Sequence, residues 1–138
     1  MILPEGVPVL ETENLILRNL SLADSPELFT MRKDPRMHAY TDTKPDQTIE
    51  ETEAYIEKML KGVEERQWLI WVIVHQKLNR LIGSISLWNL DALQGTAELG
   101  YAITPDHQGR GFMKEALLRV AEYAFRTLRL LALEAYSE

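Results

Sequence analysis

Cysteine is absent from this 138-residue chain. That excludes disulfides, thiolate metal sites and a cysteine nucleophile, and it fits a cytoplasmic protein. Long apolar runs are missing too, so no membrane span is expected. The opening residues, Met1 to Gly6, carry no basic segment and no apolar core, and no signal peptide is read there. Positive charge is short: 15 Lys and Arg stand against 21 Asp and Glu, a net charge of −6. A general grip on nucleic acid is therefore not expected. An acidic balance suits a cationic substrate and is also common among soluble proteins. The three histidines, His38, His75 and His107, have no spacing that suggests a metal site. There is no internal repeat and no low-complexity segment.

What is present is an ordinary core-forming composition, 46% apolar, over a length that suits one domain spanning 1–138. Residues 1–14 read as a lead-in, and Leu15 to Arg18 as a first strand. Ser21 to Asp24 has the character of a capping box. A helix follows to about Lys33, with Pro26 at its start under a Ser25 cap, and Asp34-Pro35 ends it. Residues 34–47 show no period and read as a loop or short helical turn. Thr48 and Glu51 form a capping box for a helix over 49–61, with Gly62 as its stop. Trp68 to Val74 is β-branched and aromatic, a strand. It turns at 76–79 into a second strand over 81–88. Asn89 to Gly95 reads as a loop, and Thr96 to Ile103 as the next strand.

The rest of the chain is organised around Ala97–Phe125. A short apolar strand ends in Thr104-Pro105-Asp106-His107-Gln108-Gly109-Arg110-Gly111, which opens an amphipathic helix from Phe112 to about Phe125. Such a helix N-terminus has unpaired N–H groups and a positive dipole end, a ready site for phosphate. The plainer alternative for Gly109 and Gly111 is a turn and a cap. On the helix surface, Glu115 with Arg119 and Glu122 with Arg126 are spaced as i,i+4 pairs. The chain closes with a strand over 131–136. A strand–helix–strand unit takes a right-handed crossover, so 97–103 and 131–136 should lie adjacent and parallel. The expected fold is α/β with a mixed sheet.

Gln108-Gly109-Arg110-Gly111-Phe112-Met113 resembles the acyl-CoA pyrophosphate loop of the GNAT superfamily of N-acetyltransferases, whose pattern is Gln/Arg-x-x-Gly-x-Gly/Ala. Gln108 and Gly111 match it; Met113 stands where the family usually has a small residue. The stretches Leu10–Arg18, Leu81–Ile85 and Glu98–Pro105 resemble the branch containing ribosomal-protein N-terminal (alanine/serine) acetyltransferases. The resemblance covers almost the whole chain. It implies a mostly antiparallel sheet with a splayed parallel pair at the cofactor site and helices on both faces. It implies acetyl-CoA as co-substrate, with its pyrophosphate on the N–H groups from about Gly109 to Met113 and Arg110 adding charge. The pantetheine arm would pair like a strand with Tyr101, Ala102 and Ile103. The cofactor residues are then Tyr101, Ala102, Ile103, Gln108, Gly109, Arg110, Gly111, Phe112 and Met113.

The implied reaction is attack of a primary amine on the thioester, with a base to take the amine's proton. Glu98 is the candidate base, the polar exception in an apolar central strand where burial would enclose it. Its plainer alternative is a carboxylate satisfying backbone or an arginine near the strand's mouth. Tyr101 could also present its hydroxyl to the site. Trp88 and Asn89 could line an acceptor pocket, and residues 34–47 lie where the family reads substrate. The acceptor implied is a protein or peptide N-terminus. The alternatives are a small amine, or a non-catalytic acyl-CoA-binding module. Members of the superfamily usually continue with a further helix and a hairpin. Without these, the expected domain has a bare edge on its last strand, either cut short or completed by a second subunit. A homodimer is common in that branch, and such an edge offers a place for it.

Overall fold

A computed structural model describes residues 1–39 and 42–135. The strands are β1 (Leu10–Glu11), β2 (Leu15–Asn19), β3 (Leu69–His75), β4 (Arg80–Asp91), β5 (Thr96–Ile103) and β6 (Ala132–Ala135). The helices are α1 (Ser25–Arg32), α2 (Ile49–Glu64) and α3 (Phe112–Arg126), with short 310 turns at Leu22–Asp24, Pro35–His38 and Pro105–His107. The strands form one sheet in the order β1-β2-β3-β4-β5-β6. Neighbours are antiparallel except β5 and β6, which run parallel with Thr96 beside Ala132 and Leu99 beside Ala135. The mixed α/β architecture and the parallel pair are as the sequence implies. Tyr136, expected at the end of the last strand, lies outside the described residues.

β3 is apolar throughout because both of its faces are covered. Leu69, Trp71 and Ile73 belong to the core under α3, while Ile70, Val72 and Val74 belong to the core under α1 and α2. The first core centres on Trp71, whose ring meets Tyr123 of α3 edge-on at 5.8 Å. α3 contributes Ala116, Val120 and Ala124 to it, the stripe expected from helical spacing. The second core sets Leu28 and Met31 of α1 against Ile56 and Val63 of α2.

Local chemistry explains the boundaries. Ser21 and Asp24 form the expected capping box, and Arg18 holds Asp24 with two bonds of 3.0 and 2.7 Å. Pro26 sits in the first turn of α1, where its missing N–H has no partner to lose. Thr48 caps α2, but Glu51 accepts from the amide of Gln47 rather than completing the box. Three expectations need correction. Gly62 does not stop α2, which runs on to Glu64. It is a packing glycine: a Cβ there would sit 2.0 Å from the Trp68 indole. The turn falls instead at Arg66, with φ of 60°. Asn89 to Gly95 is not all loop, since β4 continues to Asp91 past a left-handed Asn89 and pairs again with Thr96. Asp91 then accepts from the amides of Leu93 and Gln94, both at 3.0 Å, which shapes the turn.

The third correction concerns Glu115. It does not pair with Arg119. Its carboxylate accepts from the Thr12 hydroxyl, from the Asn14 amide N–H at 2.9 Å and from Asn14 Nδ2 at 2.9 Å. Arg119 turns to the Glu11 carbonyl at 3.3 Å and to Glu122 at 3.8 Å. The first turn of α3 is thereby tied to the β1–β2 connection. Burial works to raise the Glu115 pKa, but the bonds from Thr12 and Asn14 outweigh it and hold the carboxyl below its ordinary value. A carboxyl depressed in the folded state stabilises above its unfolded pKa, and that contribution is lost as pH falls through the folded value. Glu115→Gln should therefore cost about 1–3 kcal/mol near neutrality. Urea titrations of both proteins should show the gap closing as pH drops below the carboxylate range. A gap that is constant with pH would contradict this assignment.

Candidate functional site

Antiparallel β4 accompanies β5 to its end, with Ile85 opposite Tyr101, Ser84 opposite Ala102 and Gly83 opposite Ile103. On the other side, among the described residues, β6 accompanies β5 only as far as Leu99. Among the described residues, nothing pairs with the other backbone edge of Tyr101, Ala102 and Ile103. Beyond it the chain turns through Pro105–His107 and enters α3. Gln108 Nε2 donates to the Ile103 carbonyl at 3.2 Å, tying the turn back to the strand.

The turn depends on its two glycines. Gly109 has φ of 75° and Gly111 of 80°. An L residue reaches that region only with strain, so glycine is the natural occupant. No atom lies within 4 Å of where a Cβ would stand at either position. Gly111 is the N-cap of α3, and no side chain caps the helix. The first N–H groups of a 15-residue helix are thus presented to solvent, together with its dipole.

A cleft of about 480 Å3 lies between these parts. Tyr101, Ala102, Ile103, Gln108, Gly109, Gly111, Phe112 and Met113 line it, so eight of the nine expected cofactor residues come together. Arg110, the ninth, is exposed in the loop and does not line the cleft. The opposite wall is the turn after α1, through Arg36, Met37 and Ala39. Sequence reasoning placed a substrate loop there without choosing residues. Tyr40 and Thr41 of that loop lie outside the described residues. Arg36 and Lys114 line the cleft, and Arg36 is paired there with Asp34 at 2.7 Å. His107 also lines the cleft, bonded through Nδ1 to the Thr104 hydroxyl at 2.8 Å. Burial first, then nearby Arg110 and His75, hold its imidazole pKa below the ordinary value.

Glu98 is placed differently from the expectation. It is half-buried rather than enclosed, and it does not line the cleft. It lies on β5 opposite Trp88 of β4 and beside Glu134 of β6. Its alternation places it on the sheet face away from α3, with Gly100 and Ala102. Trp88 packs near Gly100 and is 45% exposed.

Residues 14–138 match the family model of the acetyltransferase (GNAT) domain. The chain belongs to the GNAT acetyltransferase family. Its chemistry is that of an N-acetyltransferase. An uncharacterised N-acetyltransferase of Bacillus subtilis, YoaA, is 30% identical over 123 residues, covering 89% of this chain and 70% of that protein. A spermidine N(1)-acetyltransferase of Vibrio cholerae is 27% identical over 116 residues, covering 84% of the chain and 65% of the relative. Among solved structures, a proposed ribosomal-protein-serine acetyltransferase from Vibrio cholerae superposes with a TM-score of 0.84 at 22% identity, over all of this chain and 76% of that one. That last likeness shows the fold.

GNAT enzymes use acetyl-CoA as co-substrate. The glycine turn fits its pyrophosphate on the evidence of the empty space over Gly109 and Gly111 and of the uncapped helix. Among the described residues no three His, Asp or Glu side chains gather as a metal-ligand group, and no helix is long and apolar enough to cross a membrane. Since space is open over Gly111, its replacement tests conformation alone. Gly111→Ala should cost about 1–2 kcal/mol of stability, the usual strain of a left-handed L residue. Gly111→Asn should cost less, because asparagine tolerates that region. Denaturant titration that finds both variants as stable as the parent would refute the left-handed turn.

Proposed function

We propose that the chain is a single N-acetyltransferase domain that transfers the acetyl group of acetyl-CoA to the amine of a peptide or protein N-terminus. The observation that carries the cofactor half is the meeting, in one cleft, of a strand edge at Tyr101–Ile103 that no described residue pairs with and the uncapped, glycine-bounded start of α3. Amides of the pantetheine arm would bond along that edge, as an added strand does. The pyrophosphate would rest on the N–H groups from Gly109 to Met113, with Arg110 and Lys114 supplying positive charge.

In the reaction the amine nitrogen bonds to the thioester carbonyl carbon, and the carbon–sulfur bond breaks. The nitrogen gives up a proton, and the departing sulfur gains one. Glu98 is the proposed base. Glu98 does not line the cleft, so a chain of waters would have to carry the proton, since a base acts directly only within hydrogen-bond reach. The open cleft, walled on one side by the loop after α1, suits the end of a polypeptide. The similarity to the spermidine enzyme keeps a small amine as the second reading.

Calorimetry with CoA and acetyl-CoA tests the cofactor half; no binding at millimolar ligand overturns the whole reading. Thiol release on a panel of peptides and small amines tests the rest. Glu98→Gln should lower kcat by about 100-fold or more, the usual worth of a general base, while CoA affinity stays within about twofold. An unchanged kcat removes Glu98 from that role.

A further inference from the structure

A second cavity, of about 180 Å3, lies behind the cleft on the α1 and α2 side of the sheet. Met37 and Ala102 line both spaces, so the two share a wall at the point where β5 parts from its neighbour. Most of the inner lining is apolar: Leu28 and Met31 from α1, Ile70 and Val72 from β3. These four side chains are all buried. A cavity of about 150 Å3 with such walls takes a benzene-sized guest.

The two basic side chains of this chamber, Arg32 and His38, are already engaged. Arg32 Nε donates to Asp46 at 2.7 Å, and the guanidinium lies 3.7 Å from the centre of the Tyr55 ring. Asp46 also accepts from the Thr52 hydroxyl at 2.7 Å. The His38 ring uses both nitrogens, Nε2 at 2.7 Å from the Arg32 carbonyl and Nδ1 at 2.7 Å from the Thr43 hydroxyl. No carboxylate is among the lining residues. A cationic group entering here would shed its water and, among the described lining residues, find no carboxylate, the nearby Asp46 being already paired with Arg32, which is costly. An apolar group would lose only water.

We infer that this chamber receives the side chain of the acceptor's first residue, and that this residue is apolar, of leucine, methionine or phenylalanine size. The inference rests on the proposed N-terminal acetyltransferase activity. With the side chain behind Ala102, the α-amine is left at the shared wall, facing the strand edge along which the thioester arm lies. A polyamine, whose second ammonium would have to lie in the chamber, is disfavoured by the same arrangement.

The test is thiol release from acetyl-CoA with tetrapeptides that differ only in their first residue, alongside spermidine. Leu, Met and Phe peptides should exceed Ala and Lys peptides and spermidine by about tenfold or more in kcat/KM, the scale on which hydrophobic pockets discriminate. Ser84, which faces the chamber from β4, allows the space to be filled by a strand-favouring residue. Ser84→Ile should bring the Ala peptide level with or above the Leu peptide and leave CoA affinity within about twofold. If that variant fails to fold, the peptide series on the parent protein still decides. Absence of CoA binding removes the proposed function and this inference with it. With CoA bound, any of four results overturns this inference alone: equal rates across the series, a preference for Lys or spermidine, no turnover of any acceptor, or selectivity for longer acyl-CoA chains in place of the first residue.

Discussion

The bonds that converge on Glu115 set the position of everything at the cleft. A helix N-terminus is useful as an anion site only if it is held still, because its N–H groups act within one turn. α3 has no side-chain cap at that end, since Gly111 contributes none. The restraint comes instead from Glu115, four residues past that cap, where Thr12 and Asn14 donate to the carboxylate. Those two residues belong to the connection between β1 and β2. The edge of the sheet farthest from β5 in the strand order therefore steadies the loop that β5 feeds. Because the bonds are made in the helix's first turn, the amides above them stay free for a ligand.

The same economy appears in β5. A strand inside a sheet normally spends its N–H and C=O groups on two neighbours. Here the first half of β5 does so with β4 and β6, and the second half bonds to β4 alone among the described residues. The strand thus changes from a structural element to a binding edge without changing course. Tyr101 and Ile103 pack toward α3, and Ala102 packs toward α1 and α2, so the unpaired stretch is held by both cores. Charge follows the same local logic. The chain is acidic as a whole, yet Arg110 and Lys114 flank the start of α3, where an anion would bring the dipole and the cations into one field.

The parts of this arrangement that were legible in the sequence are those with a local cause. β5 falls at Thr96–Ile103 as its apolar run implies, and the glycine pair marks the left-handed turn before α3. The parallel neighbour follows from chain chirality. The misreadings involve a packing or bonding partner that the local pattern does not reveal. Gly62 looks like a stop until Trp68 is seen packed on it. Glu115 looks like a surface partner for Arg119 until Thr12 and Asn14 reach it from across the chain. Glu98 looks enclosed because its sequence neighbours are apolar, but the residues beside it are Trp88 and Glu134, brought in by β4 and β6. The cleft's far wall had no periodic signal at all: Arg36 and Met37 follow Asp34-Pro35 in a single 310 turn.

That turn is where the two cavities become one problem. Its Met37 lines both, and its neighbour His38 is bonded to the end of α1 through the Arg32 carbonyl. Arg32 in turn holds Asp46 at the approach to α2. The wall between the cleft and the chamber is therefore fastened at both ends to helices of the second core. Ala102 supplies the other half of the wall from β5, and an alanine there leaves the passage wider than any larger side chain would. A guest in the chamber and a thioester arm on the strand edge would contact the same two residues from opposite sides.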